Sequence, residues 1–82
     1  MWYLYILRCG DGSLYTGITT DVEKRLEAHR LRRGAKYTRG RGPLKLVYKE
    51  ACGDHSAALR REIEIKGLTR EEKLKLIQNP EE

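Results

Sequence analysis

Six side chains in this sequence stand where their chemistry is out of keeping with simple packing. Tyr3 and Tyr5 fall in the run WYLYIL and Tyr15 in LYTGIT, both of which already hold enough aliphatic residues to fill a core. A buried phenol must find a hydrogen-bond partner, so repeated tyrosines in a core strand are either costly packing or chemistry. Plain aromatic packing is the simpler account of the strands taken alone, since aromatic residues are ordinary strand formers. Arg25 and His29, in EKRLEAH, fall beside Val22 and Leu26 on the inward stripe of a helix turning about 100° per residue. An arginine snorkelling to a surface carboxylate and a satisfied imidazole would explain them individually. Glu62, in ALRREIEIK, lies inside an apolar arc formed by Ala58, Leu59, Ile63 and Ile65, whereas Glu64 faces the opposite way. A half-buried carboxylate needs a cation, so Glu62 is either a structural partner of Arg25 or the holder of a divalent metal. Together, phenols, a guanidinium, an imidazole and one carboxylate supply what phosphodiester cleavage requires: a base, a cation for developing charge, and a metal site. A single carboxylate suits Mg²⁺, which keeps several waters and takes further ligands from a substrate phosphate.

The elements that would carry these groups follow from pattern and turn chemistry. Residues 2–8 and 14–19 read as strands, with Gly10, Asp11 and Gly12 between them, which makes a hairpin. Tyr3, Tyr5 and Leu7 then share one face and Trp2, Leu4 and Ile6 the other. A two-residue Asp11-Gly12 loop would put Tyr5 and Tyr15 on opposite faces. A three-residue loop with Gly12 left-handed pairs Cys9 with Ser13 and Tyr5 with Gly17, keeping both phenols on one face. The second register is preferred because Gly17, without a side chain, leaves room beside Tyr5 for a substrate or a close backbone approach. Thr20 with Glu23 predicts a capping box and a helix running to about Arg33, ended by Gly34. After the loop RRGAKYTRGRGP, Pro43 leads into a third strand, Leu44 to Ala51, whose lysines at 45 and 49 suit a sheet edge. Asp54 or Ser56 caps a second helix to Lys66, stopped by Gly67, and Thr69 with Glu72 forms a second capping box for a last helix ending before Pro80. The order β-β-α-β-α-α predicts an α+β fold, a three-stranded, mainly antiparallel sheet flanked by helices.

At 82 residues the chain is expected to form one domain spanning residues 1–82. Its longest apolar run, Trp2 to Leu7, is far too short to span a bilayer, and the N-terminus lacks the features of a signal peptide, so a cytoplasmic location is expected and no membrane association. Cys9 and Cys52 flank no motif and are read as reduced thiols, too few for a disulfide scaffold or a four-ligand zinc site. No Gly-rich phosphate loop or cofactor motif supports a small-molecule enzyme. Charge is more informative: the formal net charge is +5, and from Arg30 to Lys49 there are eight Lys or Arg and no Asp or Glu. That block reads as a phosphate-facing surface, with a merely solvated basic loop as the alternative. Arg30, Arg32, Arg33, Lys36, Tyr37, Thr38, Arg39 and Arg41 are the residues it offers to nucleic acid.

The sequence resembles the GIY-YIG nuclease domain. Tyr3-Leu4-Tyr5 stands at the Gly-Ile-Tyr position, with Tyr3 replacing the first glycine, and Tyr15-Thr16-Gly17 at the Tyr-Ile-Gly position. The likeness continues through Arg25 and His29, the loop AKYTRGRGPLKLVY, and Glu62, so it covers nearly the whole chain and looks closest to the small stand-alone bacterial branch. By that resemblance Tyr5 and Tyr15 are the signature tyrosines, Arg25 the signature arginine, His29 an auxiliary and Glu62 the ligand of Mg²⁺ or Mn²⁺, with Asn79 a possible match to a C-terminal polar residue of larger members. The implied activity is metal-dependent hydrolysis of nucleic-acid phosphodiesters, DNA before RNA, directed by structure or by a partner protein because no reader domain is attached. Tyr5 would take a proton from the attacking water, Tyr15 would position it, and Arg25 would stabilise charge on the phosphorus centre. A phenol near pKa 10 is a poor base at pH 7, so the site would have to lower it. The rival expectation is a non-catalytic module whose tyrosines stack on bases while the basic segment holds phosphates.

Overall fold

The computed structural model describes residues 1–31, 38 and 40–78. Strands β1 (Trp2–Arg8) and β2 (Leu14–Thr19) form the hairpin, followed by helix α1 (Val22–Arg30), strand β3 (Lys45–Gly53), and helices α2 (His55–Lys66) and α3 (Arg70–Gln78). All three strands are antiparallel in the order β2-β1-β3. The central strand β1 is flanked on both sides, and Leu4, Tyr5, Ile6 and Leu7 are all buried. Strand β3 is an edge, and Lys45 and Lys49 project from it into solvent, as edge lysines do where they discourage further pairing.

The hairpin adopts the three-residue loop. Cys9 N–H donates to Ser13 O and Gly12 N–H to Cys9 O, both at 2.9 Å, while Gly12 takes φ +88°. The Asp11 carboxylate accepts from the Ser13 amide at 3.0 Å and from its hydroxyl at 2.6 Å, which fixes the turn. Tyr5 therefore pairs with Gly17 and Leu7 with Tyr15. The two sheet faces are dressed differently. Tyr5, Leu7 and Cys9 pack with Val22 and Leu26 of α1 and with Tyr3, Tyr15, Leu44 and Leu46. Leu4, Ile6 and Tyr48 pack with Ile65 of α2 and with Leu68, Leu76 and Ile77 from α3 and its approach.

Three details differ from the expectations. The cap of α1 is Asp21, not Thr20: its carboxylate accepts the Lys24 amide at 3.0 Å, and the Thr19 hydroxyl braces the Asp21 amide at 3.2 Å. A charged acceptor at the cap also complements the helix dipole, which a threonine does not. Helix α1 ends at Arg30 with Leu31, 51% exposed, as C-cap rather than near Arg33, and Gly34, the expected stop, lies outside the described residues. On α2, Leu59 and Ile63 do not join the core but are 39% and 72% exposed. The stripe facing the sheet is Ala58, Glu62 and Ile65, spaced i, i+4, i+7, with the small Ala58 allowing close approach. Asp54, one of the two expected caps, holds the start of α2 through the Ala57 amide at 2.8 Å. The Thr69–Glu72 box forms as read, with Glu72 N–H on Thr69 Oγ1 at 3.1 Å and Thr69 N–H on Glu72 Oε1 at 2.9 Å. No described helix is long and apolar enough to cross a membrane, and both cysteines are free.

Candidate active site

Between the sheet and α1, the tyrosines and the histidine converge. The Tyr5 hydroxyl lies 2.9 Å from His29 Nε2, and the other ring nitrogen, Nδ1, lies 2.9 Å from Thr38 Oγ1. Tyr5, His29 and Thr38 are 2%, 1% and 2% exposed, so the three form a buried chain of hydrogen bonds, with His29 and Thr38 bordering a cavity of about 310 Å³ lined also by Arg30, Gly40, Gly42, Pro43 and Leu44. Tyr15 closes the group: its ring meets the imidazole edge-on at 5.2 Å and stands 6.3 Å from the Tyr5 ring. Each position has a local cause. Alternation along β1 and the odd loop length bring Tyr5 and Tyr15 to one face. His29 follows Arg25 by four residues, so α1 presents both on the same side, one turn apart. Gly17 supplies the space: a Cβ there would stand 2.6 Å from the Tyr5 hydroxyl and 2.7 Å from its Cζ, so the room left by the glycine is filled by the phenol of Tyr5 itself.

Burial sets the proton positions. It pushes the Tyr5 phenol up to about 12, against the opposing pull of the nearby Arg25 guanidinium. The site thus raises this phenol, where the sequence argument required it to be lowered; exclusion of water outweighs the cation. Burial likewise holds His29 below its ordinary value, and the positive charge of Arg25 adds to the effect, so the imidazole is neutral at pH 7 and has one nitrogen free to accept a proton. Arg25 is half-buried and lines a shallow cleft of about 250 Å³ with Thr19, Thr20, Asp21, Lys24 and Ala28.

Glu62 is not brought into this group. It sits on α2, which covers the other face of the sheet, and its carboxylate pairs with Lys66 Nζ at 3.2 Å rather than with Arg25. Its side chain is only 19% exposed and is engaged through one oxygen, so it does not point into bulk solvent. Among the described residues no three His, Cys, Asp or Glu side chains are grouped for a metal. A sheltered carboxylate held by one flexible lysine has the chemistry to share a hydrated Mg²⁺, but from across the sheet it does not complete a metal site with Tyr5, Tyr15 and Arg25.

The residues assigned to nucleic acid divide differently. Thr38 is buried on His29 and so is no phosphate contact. Arg41 is ion-paired with Asp11, and its carbonyl accepts the Gly10 amide at 2.6 Å, which ties the segment before β3 to the hairpin turn. Arg30 reaches the Leu44 carbonyl at 3.4 Å. Arg32, Arg33, Lys36, Tyr37, Arg39 and Asn79 lie outside the described residues. One participant, Thr38, was given a different role, and one, Gly10, was missed. Thr38 lies nine positions beyond His29 in a basic stretch, with no periodicity to mark it. Gly10 reads as turn chemistry alone, yet a Cβ there would come within 2.2 Å of the Gly42 carbonyl oxygen. On the opposite face, Tyr48 donates to Glu50, which Arg61 grips with two nitrogens at 2.8 and 3.2 Å.

Known proteins resemble this chain along most of its length. The family described as the GIY-YIG catalytic domain matches residues 1–75. A relative from Haloquadratum walsbyi, UPF0213 protein HQ_3675A, is 58% identical over 90% of this chain and 83% of its own length. UPF0213 protein YhbQ of Escherichia coli is 50% identical over 93% of this chain and 76% of its own. Among solved structures, the UPF0213 protein BH0048 from Bacillus halodurans aligns at a TM-score of 0.61 and 51% identity, covering 95% of this chain and 84% of that one. EF2693 from E. faecalis aligns at 0.64 and 37% identity, covering 98% and 86%.

Proposed function

Because this chain belongs to the GIY-YIG catalytic-domain family, we propose that it is a divalent-metal-dependent endonuclease that hydrolyses nucleic-acid phosphodiester bonds, with DNA of particular structure as its substrate. The observation that carries the reading is the buried chain from Tyr5 through His29 to Thr38, beside Tyr15 and Arg25. A core needs no such arrangement for packing, since three polar side chains buried together add desolvation cost that apolar residues of similar volume avoid.

In this proposal the half-buried Tyr15 meets the attacking water: its oxygen takes the water's proton as its own passes to the buried Tyr5, and the Tyr5 proton passes to His29 Nε2. At each phenol one O–H bond forms as another breaks, and the imidazole carries the charge until the proton returns. In the resting site this transfer runs uphill, with the phenol near 12 and the imidazole held low. A phosphate paired with Arg25 offsets one of the two influences that keep His29 neutral, so substrate binding itself eases the step. Mg²⁺ or Mn²⁺, when bound, would supply Lewis-acid stabilisation of the leaving oxygen; Glu62, the carboxylate the resemblance names for it, stands on the opposite face of the sheet, so no step is routed through that residue. A partner protein would select the target, and a cytoplasmic location suits a chain with two free thiols.

Burial weighs against the stacking alternative, because Tyr5 at 2% exposure has no face to offer a base. The test is incubation of purified protein with branched, single-stranded and duplex DNA, and with RNA, each with Mg²⁺, Mn²⁺ or EDTA. Cleavage that needs the metal is expected. Salt-sensitive binding to these nucleic acids without any cleavage would replace the nuclease with a binding module.

A further inference from the structure

We propose that Thr38 is a positioning residue that fixes which nitrogen of His29 carries the proton, holding Nδ1–H on its hydroxyl so that Nε2 faces Tyr5 as an acceptor. Its catalytic consequence rests on the nuclease reading, but the tautomer itself does not.

The argument begins with what each atom can do. A neutral imidazole has one N–H and one bare nitrogen, and His29 has one polar neighbour for each, at 2.9 Å on either side. The Tyr5 oxygen has Arg25 and the Tyr15 hydroxyl close by; the guanidinium can only donate, and an unprotonated imidazole nitrogen is a stronger acceptor for the phenol's proton than the Tyr15 oxygen. With its lone pairs turned toward that donor, the phenol directs its own proton to Nε2. The imidazole proton must then lie on Nδ1, where Thr38 Oγ1 receives it. Were the hydroxyl absent, Nδ1–H would be buried without a partner, a desolvation cost larger than the small intrinsic difference between tautomers. The ring would be driven toward the form with Nε2–H, which cannot accept from Tyr5.

The fold places Thr38 for this role from outside α1. The Arg41 amide donates to the Thr38 carbonyl at 3.2 Å, while the Arg41 side chain pairs with Asp11 and its carbonyl accepts from Gly10. The hairpin turn therefore anchors the segment that carries the hydroxyl, and the ring is held from the sheet side by Tyr5 and from this segment by Thr38. No apolar side chain could do the same, since packing cannot distinguish the two nitrogens of a planar ring.

The experiment is long-range ¹H–¹⁵N correlation on protein labelled at its two histidines, His29 and His55, with His55→Gln used for assignment. At pH 7.5 the wild-type His29 is expected as the Nδ1–H tautomer. Thr38→Val, which keeps the shape and removes the hydroxyl, should shift the signals toward Nε2–H, while Thr38→Ser should keep them on Nδ1–H. Cleavage should fall on the order of 100-fold in the valine variant and stay within a few-fold in the serine variant. An Nε2–H tautomer in the wild type overturns the proposal, as does an unchanged tautomer in folded Thr38→Val. Should the valine variant not fold, the wild-type and serine spectra still decide the tautomer. Absence of cleavage by the wild type would remove the nuclease reading and leave the tautomer assignment standing or falling on its own spectra.

Discussion

Replacing Gly17 with alanine tests the site at its tightest point. The new methyl would stand 2.6 Å from the Tyr5 hydroxyl, 2.7 Å from Cζ and 3.1 Å from Cε2 of Tyr15, where ordinary contact begins at 3.4 Å. The Tyr5 ring must retreat by most of an ångström, and its 2.9 Å contact to His29 does not survive a displacement of that size. Overpacking of this kind costs about 1–3 kcal/mol, and loss of a buried hydrogen bond adds to it. Restricting the unfolded chain returns roughly 0.4–1 kcal/mol, because Gly17 does not occupy the left-handed region. The net loss is about 2 kcal/mol, which for a domain of this size lowers Tm by roughly 10 °C. Thermal melts followed by circular dichroism measure the first effect, and cleavage at a temperature where the variant is fully folded measures the second, expected to fall at least on the order of 100-fold. A variant that melts within a degree or two of wild type and cleaves at the same rate would refute the argument that this glycine is the seat of the Tyr5 phenol.

Other expectations follow from the protons and the carboxylate. Tyr5 has a folded-state value of about 12 against 10 unfolded, so the preference for its protonated form is fully present below pH 10 and is lost as pH rises toward 12. Urea midpoints should fall across that window, and Tyr5→Phe should flatten the slope. His29 is held below 6.5, so the folded state favours the neutral ring and stability should decline as pH drops below 6.5; His29→Asn should weaken that dependence in the same titration. Glu62→Gln separates the resemblance from the geometry: a metal ligand should lose metal-dependent nicking with little loss of DNA affinity in a filter-binding assay, whereas a carboxylate confined to the far face of the sheet should leave cleavage unchanged.

The hairpin was legible because its information is local: the glycine at 12 could supply a positive φ, and counting from it fixed Tyr5 opposite Gly17. The third helix was legible for the same reason, since the Thr69–Glu72 box is complete within four residues. What escaped depends on distant partners. The stripe of α2 was misjudged because hydrophobicity marked Leu59 and Ile63, while the flat sheet selected the narrower row through Ala58 and Ile65. Of the two readings of Glu62, metal ligand or partner of Arg25, the ion pair forms with a different cation, because Lys66 one turn along its own helix is nearer than Arg25. Arg41 and Thr38 looked like phosphate contacts because composition cannot tell a surface cation from one closing a turn, or an exposed hydroxyl from one sealed against an imidazole.

At the hairpin tip, Gly10 leaves no gap between its own backbone and the carbonyl of Gly42. The side chain at this site is therefore confined to hydrogen, because even a methyl there would wedge apart two loops that meet main chain to main chain. The wedge would act at a distance: it would slide the ledge bearing Thr38 outward and loosen the imidazole's grip on the phenol without touching any of the three.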